Sequence, residues 1–361
     1  MDSLIRKDIS NIQAYQPGKP IAEVQRELGI KNVIKLASNE NALGPSPKAL
    51  KVIRKAACDI HRYPDGSCFY LKRKLARFCG IREKNLLLGN GSDELIDIIL
   101  KTVREENAEI LTSELTFVDY KICGAINGFK TVSVPVKDYT YDLNGLRRAI
   151  TKRTKVIFIA NPNNPTGTYV TSKQVASFLD AIAQNILVVF DEAYVEYVSN
   201  KDFPKLLPMI NKKNIALLRT FSKIYGLAGL RIGYMIAGED FIAAAQRVRP
   251  PFNVNSLAQA AAEAALEDQG FVRKSKKLVK KEKTYLSNEF LKLGIWFKES
   301  AANFIFVRFN TDVARAYRAL LAKGVIIRDM SSYGLNRYAR ITIGTRQENK
   351  RLVRALKDVL S

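Results

Sequence analysis

Residues 155–167 read KVIFIANPNNPTG. Val156 to Ala160 form an unbroken apolar run, too short for a typical helix and rich in β-branched and aromatic side chains. That composition predicts a strand buried on both faces, as in a mostly parallel sheet. Pro162, Pro165 and Gly167 then force a turn around Asn161, Asn163 and Asn164. Ligands of open parallel sheets bind outside the carboxyl ends of the strands, so a polar loop at this position reads as functional.

The same kind of apolar run recurs at Asn85 to Leu88, Glu109 to Leu111, Leu187 to Phe190, Ile215 to Leu218 and Gly233 to Ala237. Helix-length segments lie between several of them, with apolar residues three and four apart: Leu95, Ile98, Ile99 and Thr102, or Val175, Phe178, Leu179 and Ile182. Strands alternating with such segments predict an α/β fold. Beyond about Leu266 the pattern changes to a long basic helix, roughly Phe271 to Leu293, followed by short strands at Asn303 to Phe309 and Tyr338 to Ile343. A separate α+β unit is expected there. Within the helix, residues 273–283 read RKSKKLVKKEK, and Leu278, Tyr285 and Leu286 supply an apolar face that leaves the lysines facing water. A nucleic-acid contact is the rival reading of these lysines.

The chain has 361 residues, which suits about two domains. With 47% apolar and 26% charged residues it is neither disordered nor fibrous. Lys and Arg number 58 against 35 Asp and Glu, a formal charge of +23 that favours anionic partners without choosing among them. Cys58, Cys68, Cys79 and Cys123 form no C-x-x-C pair and His61 is the single histidine, so no metal site is expected. The first residues carry no signal-peptide pattern, and the closest approach to a membrane span, Ser256 to Leu266, is broken by Gln259 and Glu263. A soluble cytoplasmic protein is the expectation.

Three further segments carry chemistry. Gly89-Asn90-Gly91-Ser92-Asp93-Glu94 lies between a strand and a helix. Its small residues and free helix N–H groups suit an anion, while a helix cap after a glycine turn is the plainer alternative. It is no dinucleotide fingerprint, since Glu94 takes the third glycine position. In LVVFDEAYVEY (187–197), Asp191 and Glu192 emerge from an apolar strand, where a carboxylate is costly unless a cation or donor meets it. In LRTFSK (218–223), Lys223 ends a strand among small residues. Read alone, it is either a surface lysine or an amine made nucleophilic by desolvation.

Taken in order, the PNNPTG loop, the DEAY strand end and the segment Ser222, Lys223 to Arg231 resemble the pyridoxal-phosphate-dependent aminotransferases of fold type I. LASNEN (36–41), RYPDG (62–66), GNGSDE (89–94), LRTFSKIYGLAGLRIGY (218–234) and RITIGTRQEN (340–349) narrow the resemblance to the histidinol-phosphate aminotransferase branch. The likeness runs from about Tyr15 to the C-terminus. Ala42 and Leu115 depart from it, standing where many relatives have proline.

The resemblance implies a large domain over 39–266 with a mostly parallel seven-stranded sheet, and a small α+β domain built from 1–38 and 267–361. It implies pyridoxal 5'-phosphate as cofactor and a ping-pong transfer between L-histidinol phosphate and 2-oxoglutarate in histidine biosynthesis. Lys223 would join the cofactor aldehyde and shuttle the reaction proton, and Asp191 would pair with the pyridine nitrogen. Asn164 and Tyr194 would hydrogen-bond the phenolic oxygen, and Phe117 would stack on the ring. Ser92, Asp93 through its backbone N–H, Ser222 and Arg231 would surround the phosphate, joined by Tyr63 from the other subunit of a homodimer. Arg340, Arg328, Asn39 and Tyr15 would form the substrate pocket. An aromatic amino acid aminotransferase or a threonine-phosphate decarboxylase is compatible with the same scaffold. A cofactor-binding nucleic-acid regulator needs an added domain, for which the roughly 38 residues before Asn39 are too few.

Overall fold

Val156–Ala160 lie inside a seven-residue strand, Thr154–Ala160, whose Val156, Ile157, Phe158 and Ile159 are fully buried. The structure is a computed structural model describing residues 4, 6, 9–12, 14 and 17–360. Its strands, in chain order, are β1 Ile34–Leu36, β2 Leu86–Gly89, β3 Glu109–Ser113, β4 Lys130–Val134, β5 Thr154–Ala160 and β6 Leu187–Asp191. There follow β7 Ile215–Thr220, β8 Gly233–Ala237, β9 Trp296–Lys298, β10 Phe304–Arg308, β11 Val325–Asp329 and β12 Tyr338–Thr342.

Seven of these form one sheet in the order β2-β8-β7-β6-β5-β3-β4. The pairs from β4 through β7 are parallel, whereas β8 runs antiparallel to both β7 and β2. An apolar run records burial but not direction, so β8 looks the same in sequence as its parallel neighbours. β4, KTVSV, escapes the apolar-run reading because it is an edge strand with Lys130 and Ser133 exposed. The helix Gly91–Val103 covers the sheet through Leu95, Ile96, Ile98, Ile99 and Leu100, a wider buried face than a single stripe. The helix Ser172–Asp180 starts with a reciprocal cap, Thr171 with Gln174, and buries Val175, Phe178 and Leu179.

The other sheet has the order β1-β11-β12-β10-β9, so Ile34–Leu36 pairs with a strand almost three hundred residues later. The helix Gln269–Lys292 packs through Phe271, Val272, Val279, Leu286 and Phe290. This corrects the expected face, since Leu278 and Tyr285 sit at its half-exposed margin. Among the described residues, no helix is long and apolar enough to cross a membrane.

Candidate active site

Asp191 is the last residue of β6, delivered by the strand to the carboxyl edge of the sheet. The Tyr120 hydroxyl donates to its Oδ2 at 2.6 Å and the Ala193 N–H to its Oδ1 at 3.0 Å. Burial nevertheless pushes the carboxyl up to about 6, against these two donors and the Lys223 ammonium. Tyr120 is locked in place by stacking on Phe158, with centroids 4.8 Å apart, and Phe117 stands edge-on to it at 5.6 Å.

Lys223 follows β7, the next strand over from β6. Its Nζ donates to the Ser38 carbonyl at 3.3 Å and lies 5.7 Å from the centre of the Tyr194 ring. Burial, aided by the Arg340 guanidinium, pulls the amine down to about 8, so near neutral pH a useful fraction is unprotonated. The Tyr194 hydroxyl accepts from Asn39 Nδ2 at 2.9 Å. Asn39, itself in the left-handed region at φ 55, is held by Thr342: its N–H donates to Thr342 Oγ1 at 2.9 Å, and that hydroxyl donates to Asn39 Oδ1 at 3.1 Å. Arg340 links β12 to two other segments, donating from Nη1 to the Asn164 carboxamide oxygen and from Nη2 to the Ala37 carbonyl. Across the β11–β12 ladder Arg340 pairs in register with Arg328, and both line the cavity.

Ser92 and Asp93 occupy the first turn of the helix Gly91–Val103, where backbone N–H groups lack intrahelical partners. The cap expected as an alternative comes from neither of them: Glu94 Oε2 accepts from the Asn90 N–H at 2.6 Å. Gly91 sits at φ +85, and a Cβ there would lie 2.5 Å from Arg231 Nη2. The glycine therefore lets the guanidinium close over the helix end. Arg231 donates to Ser222 Oγ at 3.4 Å and pairs with Asp93 Oδ2 at 2.8 Å. The arginine thus stands as counter-ion to the Asp93 carboxylate. Behind it, burial, reinforced by Asp93, raises the Asp119 carboxyl to about 6.

These groups meet around one cavity of about 260 Å³. Its lining includes Asp191, Lys223, Tyr194, Asn164 and Phe117, together with Ser92, Asp93, Ser222 and Arg231 at one end and Asn39, Arg328 and Arg340 at the other. Tyr63 is elsewhere, 85% exposed and stacked on Phe252 at 4.9 Å. Tyr15 lies outside the described residues. Sequence reasoning passed over Tyr120, whose only signal is its spacing three residues after Phe117, and Thr342, which bears on the site through a partner three hundred positions away. A roomier groove at the opposite edge of the sheet, near Lys155, Leu187 and Ile215, gathers no comparable set of buried titratable groups. Among the described residues there is no cluster of three or more His, Cys, Asp or Glu able to hold a metal ion.

Residues 31–356 match the family described as Aminotransferase class I and II. The chain belongs to this family. It is similar to the histidinol-phosphate aminotransferase of Moorella thermoacetica, 46% identical over 99% of this chain and 93% of that one. It is also similar to the enzyme of that name from an Anaeromyxobacter species, 45% identical over 99% of both. The solved histidinol-phosphate aminotransferase of Sinorhizobium meliloti, in complex with pyridoxal-5'-phosphate, superposes with a TM-score of 0.91 at 31% identity, covering 99% of this chain and 98% of that one.

The family implies pyridoxal phosphate, and this aminotransferase's cavity fits it on chemistry. A phosphate needs convergent N–H and guanidinium donors, present at Ser92, Asp93, Ser222 and Arg231. A protonated ring nitrogen needs a buried carboxylate, and Asp191 is one whose raised pKa marks a charge lacking a full counter-ion. An aldehyde needs an amine of lowered pKa, which Lys223 supplies between these two.

Proposed function

We propose that this chain is a pyridoxal-phosphate-dependent histidinol-phosphate aminotransferase, moving an amino group between L-histidinol phosphate and 2-oxoglutarate in histidine biosynthesis. The observation that carries the substrate reading is the pair of guanidinium groups, Arg328 and Arg340, in register on adjacent strands at the cavity rim. Two cations suit a phosphate dianion, and a guanidinium fork also grips the carboxylate of glutamate. Full-length identity above 40% to relatives of that name supports the same reading.

The cofactor, when bound, supplies an electron-accepting ring conjugated to the substrate Cα. Lys223 would hold the cofactor through its aldehyde, and its Nζ, with a lowered pKa, is the base that would move the proton at the substrate Cα. Asp191 holds a proton on the ring nitrogen, with Tyr120 and the Ala193 amide fixing its orientation. Tyr194 and Asn164 would steady the phenolic oxygen, and Phe117 would pack against the ring. The Ser92, Asp93, Ser222 and Arg231 cradle anchors the phosphate, while Asn39 and Arg340 orient the substrate. Residues 39–266 form the cofactor unit in this reading, and 1–38 with 267–361 form the smaller unit.

A homodimer with shared sites belongs to the proposal. Tyr63, Phe69, Tyr70 and Phe252 are large apolar groups with roughly half or more of their surface exposed, a patch suited to a second copy of the chain. In the assembly Tyr63 reaches the partner's phosphate cradle. Mixing a Lys223→Ala chain with a Tyr63→Phe chain tests this: hybrid dimers regain activity when Tyr63 acts across the interface and stay as weak as the single variants when it acts within its own chain. The substrate is tested by single half-reactions over a panel of amino donors, followed through the cofactor's absorbance. Preference for an aromatic amino acid over histidinol phosphate, or release of CO2, would replace the substrate assignment.

A further inference from the structure

The basic stretch of the long helix Gln269–Lys292 does not present all its cations to solvent. Arg273, Lys274, Lys277, Lys280 and Lys281 are exposed, but Lys283 turns inward and donates from Nζ to the Ser300 carbonyl. Burial lowers its amine to about 8, opposed by the Glu299 carboxylate. An ammonium held this way costs desolvation, which a bland surface lysine avoids.

Ser300 begins a turn between β9 and β10 that touches both walls of the active site. On one side, the Ala301 N–H donates to the Gly167 carbonyl at 2.8 Å. Gly167 sits at φ +75, and a Cβ there would lie 2.2 Å from Ser300 Oγ, so the serine is seated directly on the glycine. Gly167 in turn donates to the Asn163 carbonyl at 2.8 Å, closing the loop that projects Asn164 into the cavity. On the other side, Asn303 Nδ2 donates to the Asn39 carbonyl at 3.0 Å. The turn is therefore fixed at its far end by Asn303 and at its near end by Lys283.

We propose that Lys283 is a positioning residue of the active site: by gripping Ser300 it clamps the Ser300–Asn303 turn onto Gly167 and fixes the Asn164 carboxamide. Its effect on the cofactor rests on the function proposed above, whereas its effect on the loop does not. The test uses the full chain carrying Lys283→Met, with amide hydrogen exchange measured on the cofactor-free protein and pyridoxal phosphate affinity measured separately. Exchange in residues 163–168 is expected to speed up about tenfold while that of β5 stays unchanged, and affinity to fall about tenfold. Combined with Asn164→Ala, Lys283→Met should weaken cofactor binding no further than Asn164→Ala alone, because both act through one group. Lys283→Arg, which keeps a charged donor, should retain slow exchange. Unchanged exchange in 163–168, acceleration spread over the whole sheet, or additive losses with Asn164→Ala would each overturn the proposal. If Lys283→Met does not fold, Ala301→Pro removes the N–H given to Gly167 and must produce the same local pattern. A wild-type chain that binds no pyridoxal phosphate would refute the function and leave the exchange arm to decide the clamp.

Discussion

The two walls of the cavity are built differently. On the wall formed by the seven-stranded sheet, Asp191 ends β6, Lys223 follows β7 and Asn164 follows β5, so each is placed by the strand immediately before it. On the opposite wall, Asn39 is held by Thr342 and Asn303, and Arg340 by contacts to Ala37 and Asn164. Partners there are 176 to 303 positions apart in the chain. The first wall takes its placement mainly from strand ends, with Asn164 tied in addition to Arg340 and to the Ser300–Asn303 turn. The second is assembled from segments far apart in the chain, which suits the two different anions of the proposed reaction. Changes on the first wall should abolish chemistry, and changes on the second should redistribute it between substrates.

Lys223→Ala carries the largest expected effect: loss of turnover by many orders of magnitude, with cofactor still bound but no longer trapped covalently by borohydride. Normal turnover, or a surviving covalent link, would move the nucleophile to another residue and break the contrast at its centre. Asp191→Ala comes next, with a drop of several orders of magnitude in turnover, because the ring nitrogen loses the carboxylate that keeps its proton. Tyr120→Phe should reproduce a milder version, since it removes one donor that orients Asp191 without removing the charge. Steady-state kinetics on both variants check the ranking, and equal losses would mean that the carboxylate's charge matters less than its placement.

The same contrast explains what the sequence discloses. Strand β5 and its loop are legible because an apolar run, two prolines and a glycine are contiguous, and DEAY and TFSK are legible for the same reason. Arg340 and Arg328 came from resemblance, since nothing in a lone arginine among so many basic residues marks it. Thr342, Asn303 and Lys283 gave no local signal at all: each acts on the site through a partner fixed by tertiary packing. Helical periodicity groups Lys283 with the solvated lysines, because it places charge on a face without saying what the neighbouring turn offers. Strand direction is similarly silent, because the apolar run of antiparallel β8 looks the same as those of its parallel neighbours.

Substitutions on the second wall should be smaller and selective. Arg340→Lys keeps the charge but loses the paired geometry, and should weaken both half-reactions by about 1.5 to 3 kcal/mol. Arg328→Ala should impair the histidinol-phosphate half-reaction more than the glutamate one, since a second cation serves a dianion better than a carboxylate. Half-reactions measured separately decide it. Equal losses in both would argue against a phosphorylated donor and remove the functional distinction between the walls.

The smallest effect concerns a flaw in the first wall. Glu196, in the short turn after β6, has an Oε2 sealed from water that meets no hydrogen-bond partner among the described residues. The nearby Arg219 is already committed, donating from Nε and Nη2 to Glu192 Oε2 at 2.8 Å each. Burial therefore raises the Glu196 carboxyl to about 7, with Arg219 opposing and the Glu192 charge adding to the rise. A carboxyl whose pKa is higher folded than unfolded binds its proton more tightly in the native state. The stability it contributes is complete below its unfolded value and disappears as pH rises through about 7. Glu196→Gln keeps the shape and cannot ionise. It should match the parent near pH 4 and exceed it above pH 8, by a margin on the order of 2 kcal/mol given the partial exposure of the rest of the side chain. Urea unfolding of both chains across that range measures the divergence directly. Parallel pH profiles would mean that Glu196 ionises freely, and that the sheet wall contains no unmet charge of its own.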